Sequence, residues 1–257
     1  MARTALVTGS ASGIGAATVE RLRRDGCQVL TLDRRGDGTD VVADLATPEG
    51  RAAAVAGARE ACGGRLDVLV CCAGVGTAPP PVMAAINYLG TFELADGLFD
   101  VLTAGESPAA VVISSSTIGY RSVARHHEVM DRLEAAEDDP VGALAEAGDG
   151  LTTYINSKIG VAYAARRRAG PWGRAGVRLN VVVPGMTDTP LLAKAGPNPD
   201  VAAAGRPIEP VPLGRIGRPD ELAAVISFLA SPDASYVHGA VVYVDGGQAA
   251  AIDHRRI

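Results

Sequence analysis

Tyr154 and Lys158 stand four residues apart in Tyr154-Ile155-Asn156-Ser157-Lys158, so on a helix a phenol and an ammonium share one face, one turn apart. A phenol with a pKa of about 10 is a weak base at neutral pH, and a nearby positive charge favours its phenolate. The spacing predicts a proton-transfer pair in which Lys158 brings Tyr154 towards a useful range. Tyr-x-x-x-Lys also arises by chance on amphipathic helices, so the pair gains weight only from its company. Ser114-Ser115-Ser116 ends an apolar run that starts at Ala109. A hydroxyl leaving the carboxyl edge of a parallel sheet lies where such folds hold ligands, which makes Ser115 the candidate to polarise or hold a substrate oxygen. Asn87, in Ile86-Asn87-Tyr88, falls within a predicted helix, where an amide is a weak helix former. It is a candidate for holding a local irregularity and a proton-relaying water; an ordinary helix position is the alternative.

The elements that must position these groups are legible as short apolar runs separated by helix-length stretches. The runs are Ala5 to Thr8, Gln28 to Asp33, Leu66 to Cys72, Ala109 to Ser115, Val177 to Val183 and Ala240 to Val244. Several are continuous and β-branched rather than alternating, as expected of strands covered on both faces, so they predict an α/β doubly wound parallel sheet. Helices are expected at Ile14 to Asp25, Pro48 to Ala61 and Pro219 to Leu229, the last with proline in its first turn.

The first strand runs into Thr8-Gly9-Ser10-Ala11-Ser12-Gly13-Ile14-Gly15 and then a helix. Glycines permit tight turns and close approach, and a helix amino terminus offers free N–H groups and positive dipole to a pyrophosphate. Three glycines alone are weak evidence, since any tight strand-to-helix turn can want them. Asp33, 18 residues beyond Gly15 at the end of the second strand, strengthens the reading, because its carboxylate can accept from both ribose hydroxyls of an adenosine. The same charge repels a 2′-phosphate and favours NAD over NADP. Arg34 and Arg35 could instead pair with that phosphate, though a solvated turn accounts for them.

The 257 residues suit one α/β domain, and 47% hydrophobic with 21% charged residues is ordinary globular usage. A net charge of −5 and the lack of a basic stripe argue against nucleic-acid binding. No apolar run reaches membrane-spanning length and no signal-peptide pattern opens the chain, so a cytoplasmic protein without a membrane partner is expected. Cys27, Cys62, Cys71 and Cys72 lack zinc-ligand spacing, and the adjacent pair should face opposite sides of a strand as reduced structural thiols. No metal site is expected: His126 and His127 would diverge on a helix and read as surface residues. Arg121 to Gly150, with Val129, Leu133 and Ala136 at helical spacing, predicts an inserted helical excursion. Gly185 to Pro212 mixes Gly, Pro and Ala, a composition for a loop able to move over a substrate.

Taken in order, Thr8 to Gly15, Asp33, Asp44, Ala73-Gly74, Asn87, Ser115, Tyr154, Lys158, Pro184-Gly185 with Thr189, and Val244-Asp245-Gly246-Gly247 resemble the short-chain dehydrogenase/reductase family along nearly the whole chain. The resemblance implies a Rossmann-like single domain, residues 1–257, and oxidation of an alcohol or reduction of a carbonyl with NAD. It implies that Tyr154 exchanges the proton, Ser115 binds the oxygen, Lys158 holds the nicotinamide ribose and tunes Tyr154, and Asn87 completes the relay. It further implies cofactor contacts from Gly9, Ser12, Gly13, Ile14 and Gly15, from Asp44 and Leu45 at the adenine, from Ala73 and Gly74, and from Pro184, Gly185, Met186, Thr187 and Thr189 at the carboxamide. Cys71-Cys72 stand where the family commonly has paired asparagines. Residues 116 to 153, 38 in all, form a spacer much longer than usual. With the runs Ala109 to Ser115, Trp172 to Asn180 and Ser235 to Gly239, it is similar to the bacterial 3α-hydroxysteroid dehydrogenase/carbonyl reductases. That implies a small-molecule substrate, with a steroid as its finer form, and a homo-oligomer in which the insertion covers a tetramer-forming surface and leaves a dimer. The alternatives are another small alcohol or carbonyl, reduction of an activated C=C bond, dehydration of a nucleotide sugar, or a dinucleotide-sensing regulator without turnover.

Overall fold

Each of the six apolar runs becomes a strand, with ends that move by no more than two residues, and a short further strand precedes Asp44. The computed structural model describes residues 2–120, 123–136, 138–195 and 211–252. Among them, β1 (Thr4–Thr8), β2 (Gln28–Asp33), β3 (Val41–Val42), β4 (Val68–Cys71), β5 (Ala109–Ile113), β6 (Arg178–Pro184) and β7 (Val241–Val244) form one parallel sheet in the order β3-β2-β1-β4-β5-β6-β7. Chain order runs outward from β1 in one direction and then from β4 in the other. The crevice beyond the carboxyl ends of β1 and β4 is therefore the topological switch point, where open α/β sheets hold ligands.

Alternate residues of each strand feed two apolar layers, as a pleat demands. Ala5 and Val7 of β1, with Val68 and Val70 of β4, pack against Val19 and Leu22 of α1 (Gly13–Arg24) and against Leu222, Ile226 and Leu229 of α10 (Pro219–Ala230). Leu6, Leu69, Val112 and Val181 face the other layer. That layer holds α2 (Pro48–Ala61), α4 (Gly90–Gly97), α5 (Phe99–Thr103) and the long α8 (Gly150–Arg174). Burying each large aliphatic side chain contributes about 1.5–3 kcal/mol, which sets these layers as the frame. Cys71 packs into one layer and Cys72 against the other, so the two thiols face opposite sides of the sheet. Burial raises the pKa of both, Cys72 to about 12, and keeps them protonated.

The expected excursion before Tyr154 is helical but broken in two, α6 (Val123–Ala135) and α7 (Pro140–Leu144), the second capped by Asp139 accepting from Gly142 N–H at 2.8 Å. Val129 and Leu133 point into the core. Opposite them Gly160 of α8 leaves only enough room: a Cβ there would lie 3.1 Å from Leu144 and 3.2 Å from Leu133. The insertion thus covers a face of α8. The stretch expected as a loop, Gly185 to Pro212, carries a short helix, α9 (Pro190–Ala195), opened by its proline; residues 196–210 of that expectation lie outside the described residues. α11 (Gln248–Ile252) closes the described chain.

Candidate active site

Glycine is required where β1 turns into α1. Gly9 has φ +64°, and a Cβ on it would sit 2.9 Å from the Ala73 backbone, where β1 and β4 diverge. On Gly15 a Cβ would lie 2.1 Å from the Gly9 carbonyl oxygen. Gly13, φ +56°, faces the Thr189 side chain at 3.2 Å from its would-be Cβ, which brings the α1 terminus and the start of α9 to one place. Ser12 caps α1 without using its hydroxyl on the helix, and no acidic residue occupies the first turn. Ile14 anchors that turn on the core. This is a cradle that side chains would fill, open to an anion at a helix terminus. Replacing Gly15 with alanine forces that backbone contact apart. We expect a loss of about 1–3 kcal/mol of stability together with loss of NADH binding, read by thermal melting and by fluorescence titration; an intact titration would show that the cradle is not used.

Asp33 ends β2 with its carboxylate held by the backbone, Oδ2 accepting from Ala11 N–H at 3.1 Å and Oδ1 from Arg35 N–H at 3.2 Å. One lone pair or more remains on each oxygen for a diol. Arg34 and Arg35 are exposed, as a solvated turn requires. Asp44 is exposed, its Oδ1 accepting from Ala46 N–H at 3.0 Å. The Leu45 side chain is buried beneath Gly90, whose Cβ would be 3.0 Å away. Hydrophobic packing takes that side chain, and only the backbone and Asp44 remain to meet a ligand.

β5 stops at Ile113, short of the expected Ser115, because serine and threonine hydroxyls close a turn in place of the ladder. Thr117 donates to Ser115 Oγ twice, from its N–H at 3.3 Å and its hydroxyl at 3.0 Å. A hydroxyl that accepts twice has its own hydrogen left to donate outward, and Ser115 meets the Tyr154 phenol there. Neighbouring Ser114 donates to the Lys158 carbonyl at 2.8 Å, tying β5 to α8.

Lys158 is buried, with its Nζ donating to the Ile113 carbonyl at 3.0 Å and lying 5.9 Å from the centre of the Tyr154 ring. Burial lowers the lysine to about 8. It also raises the Tyr154 phenol above its ordinary value, opposed by the Ser115 hydrogen bond. The lowering of Tyr154 expected from Lys158 is therefore opposed by desolvation of the phenol in the cofactor-free site.

Asn87 sits in a π-helical turn, Ala85–Leu89, between α3 (Pro80–Ala84) and α4, which is the local irregularity anticipated for it. Its Nδ2 donates to Val75 O at 3.1 Å and Ser157 Oγ at 3.0 Å, while Oδ1 accepts from Val75 N–H at 2.8 Å. Both amide hydrogens are therefore used in bracing, and a lone pair on Oδ1 is what remains for a relay. Gly74 keeps that space open, since a Cβ there would be 3.2 Å from Asn87 Oδ1 and 3.3 Å from Lys158 Nζ. Ala73 N–H donates to Thr8 Oγ1 at 3.0 Å, a brace across the switch point in the segment that follows the two cysteines.

On the far side Pro184 ends β6, and Gly185 lies so close to Asp245 that a Cβ would meet its Cα at 2.6 Å. Met186 accepts from Gly217 N–H at 2.8 Å. Thr187 donates to Gly185 O at 2.9 Å and Thr189 to Thr187 O at 3.2 Å, so local hydrogen bonds brace this segment next to Gly13. Sequence reading missed Ser114, Thr117, Ser157 and the fully buried Gln248, whose Oε1 lies 3.5 Å from Ser116 Oγ. Ser114, Ser157 and Gln248 act on residues that only the fold makes adjacent, which local sequence does not signal, whereas Thr117 lies two residues from Ser115 and within local reach. Among the described residues no cluster of three or more His, Cys, Asp or Glu could hold a metal ion, and no helix is long and apolar enough to cross a membrane.

Residues 3–126 match the family described as short chain dehydrogenase, and residues 141–249 match one described as enoyl-(acyl carrier protein) reductase. The chain is 42% identical over 253 residues to a 3-alpha-hydroxysteroid dehydrogenase/carbonyl reductase of Comamonas testosteroni, covering 94% of this chain and 95% of the relative. It is 32% identical to a cis-4-hydroxycyclohexanecarboxylate dehydrogenase of Sinomonas cyclohexanicum, covering 96% and 97%. The crystal structure of a 3-alpha-hydroxysteroid dehydrogenase from Pseudomonas sp. B-0831 complexed with NADH superposes with a TM-score of 0.90 at 41% identity, covering 99% of this chain and all of that one. With its glycine cradle at the switch point and its serine, tyrosine and lysine gathered beyond β5, the chain belongs to the short-chain dehydrogenase family.

Proposed function

We propose that the protein is an NAD-dependent oxidoreductase interconverting a secondary alcohol and a ketone, with 3α-hydroxysteroids and small carbonyl compounds as its substrates. The observation that carries the reading is the Ser115 hydroxyl, supplied by Thr117 with two hydrogen bonds and turned onto the Tyr154 phenol, with Lys158 behind them. The glycine cradle, the free hydroxyl of Ser12 and the backbone-held Asp33 fit a dinucleotide, with the hydrogen-bonded segment from Gly185 to Thr189 at its other end. The steroid class is supported by the names of the Comamonas and Pseudomonas relatives.

Bound NAD supplies the hydride acceptor and, when oxidised, a second positive charge near the phenol. In the oxidative direction Tyr154, as phenolate, takes the proton of the substrate hydroxyl. Ser115 donates to the substrate oxygen and keeps it beside Tyr154. Lys158 holds its ammonium near the phenolate by its bond to Ile113 O, and its remaining N–H groups are free to hold ribose hydroxyls. The proton leaves past Lys158 and Asn87 Oδ1, which Gly74 leaves room to meet. In reduction the same groups act in reverse.

The test is turnover of NAD and NADP with an androsterone-like 3α-hydroxysteroid, simple secondary alcohols and quinones. We expect NAD-linked oxidation of the steroid. Turnover confined to small carbonyls would remove the steroid, a strong NADP preference would overturn the role of Asp33, and binding without any turnover would make the protein a sensor. A homodimer is the assembly we propose, because Leu133 and Leu144 of the insertion already cover the Gly160 face of α8. Light scattering should give twice the chain mass of 26.2 kDa; four times that mass would refute it.

A further inference from the structure

Arg125 and His126 are adjacent on α6, so their side chains leave the helix roughly 100° apart, and they reach two different elements. His126 Nε2 lies 2.8 Å from the Ile118 carbonyl oxygen. A carbonyl only accepts, so this nitrogen carries the hydrogen. Ile118 belongs to the 3₁₀ turn Ser116–Tyr120 and its N–H donates to the Ser115 carbonyl at 3.1 Å. Arg125 turns the other way. Its Nη2 donates to Asn156 Oδ1 at 3.2 Å and to Glu146 Oε1 at 2.6 Å, and its Nη1 to Glu128 Oε1 at 2.7 Å. Asn156 is fully buried two residues from Tyr154, with its Nδ2 donating to Leu144 O at 3.1 Å. One turn of the insertion therefore grips the strand-end turn that carries Ser115 and the helix that carries Tyr154.

We propose that Arg125 and His126 are positioning residues that hold the Ser115 turn against α8 and so set the spacing of Ser115 Oγ from the Tyr154 phenol. This rests on the reading of Ser115 as the group that binds the substrate oxygen. A small misplacement of reacting groups costs large factors in rate, while a neutral hydrogen bond alone is worth about fivefold. The insertion then has a part in the reaction as well as in covering α8.

The experiment is steady-state kinetics on the full chain with the best alcohol found above, for His126→Leu, His126→Gln and Arg125→Met, each alone and combined with Ser115→Ala. Glutamine places an amide N–H near the position of His126 Nε2, so His126→Gln should keep kcat within about twofold of the parent. His126→Leu and Arg125→Met should each lower kcat by about five- to fiftyfold with KM nearly unchanged. In the Ser115→Ala background both should change kcat by less than about twofold, since no hydroxyl is left to position. Losses that multiply in that background, or His126→Gln as impaired as His126→Leu, would overturn the proposal. Ser115→Ala with parental kcat would overturn the underlying reading of the site and the proposal with it.

Discussion

Tyr154→Phe should lower kcat by about 10²–10⁴-fold, the usual worth of a positioned general acid–base, while the protein still binds NADH. Phenylalanine keeps the ring against α8 and its packing in the core layer, and removes only the hydroxyl that meets Ser115. Loss of one neutral hydrogen bond should weaken NADH by less than about tenfold. The pH dependence gives a second readout. Burial raises the phenol above its ordinary value in the cofactor-free site, so alcohol oxidation by the parent should rise with pH as phenolate forms. The residual rate of the variant should not follow that rise, because no proton of position 154 remains to titrate. A variant that retains the parental kcat would move the proton transfer elsewhere and remove Tyr154 from the chemistry.

How far the site was legible follows from how local each signal is. The glycines of the first turn and Asp33 could be placed from sequence because their constraints lie within one strand–turn–helix unit: Asp33 meets Ala11 across a single βαβ step. Tyr154 and Lys158 share a helix turn, which periodicity alone supplies. Asn87 was half legible, since a weak helix former inside a helix marks an irregularity, while its partners Val75 and Ser157 are set by tertiary packing. Ser114 reaches Lys158 from 44 residues away and Ser116 lies by Gln248 across 132; only the packing of helices onto the end of β5 brings them together. The burial of the Leu45 side chain and the desolvation of Tyr154 were not legible for one reason. Burial is a property of the assembled layers, and it decides both whether a leucine faces a ligand and whether a phenol is desolvated. His126 belongs to the same class: its divergence from His127 on the helix was foreseeable, but its grip on Ile118 required the insertion to fold back over the Ser115 turn.

Lys158→Met should abolish most activity and yet raise the melting temperature at neutral pH. The lysine is buried and its pKa is lowered from 10.5 to about 8 by loss of hydration, so the folded state gives up the proton more readily than the unfolded chain. Below pH 8 both states are protonated and the folded state bears the full cost of the buried charge, on the order of 3 kcal/mol. Between pH 8 and 10.5 the unfolded chain binds more protons, so stability of the parent climbs as pH rises and the cost disappears. Methionine fills similar volume without charge, but it leaves the Ile113 carbonyl without its donor, which takes back about 1–3 kcal/mol. The net gain at pH 7 should be up to about 2 kcal/mol, or a rise of up to roughly 8 °C for a chain of this size. Near pH 10 the order should reverse, because only the lost hydrogen bond remains. Melting curves of both proteins at the two pH values decide the matter: a difference that does not change with pH would mean that the Lys158 ammonium is not held desolvated beside Tyr154. A gain at pH 7 that vanishes on raising the pH would show that this charge is retained at the expense of stability, as expected of a group whose role is to act on the phenol rather than to hold the fold.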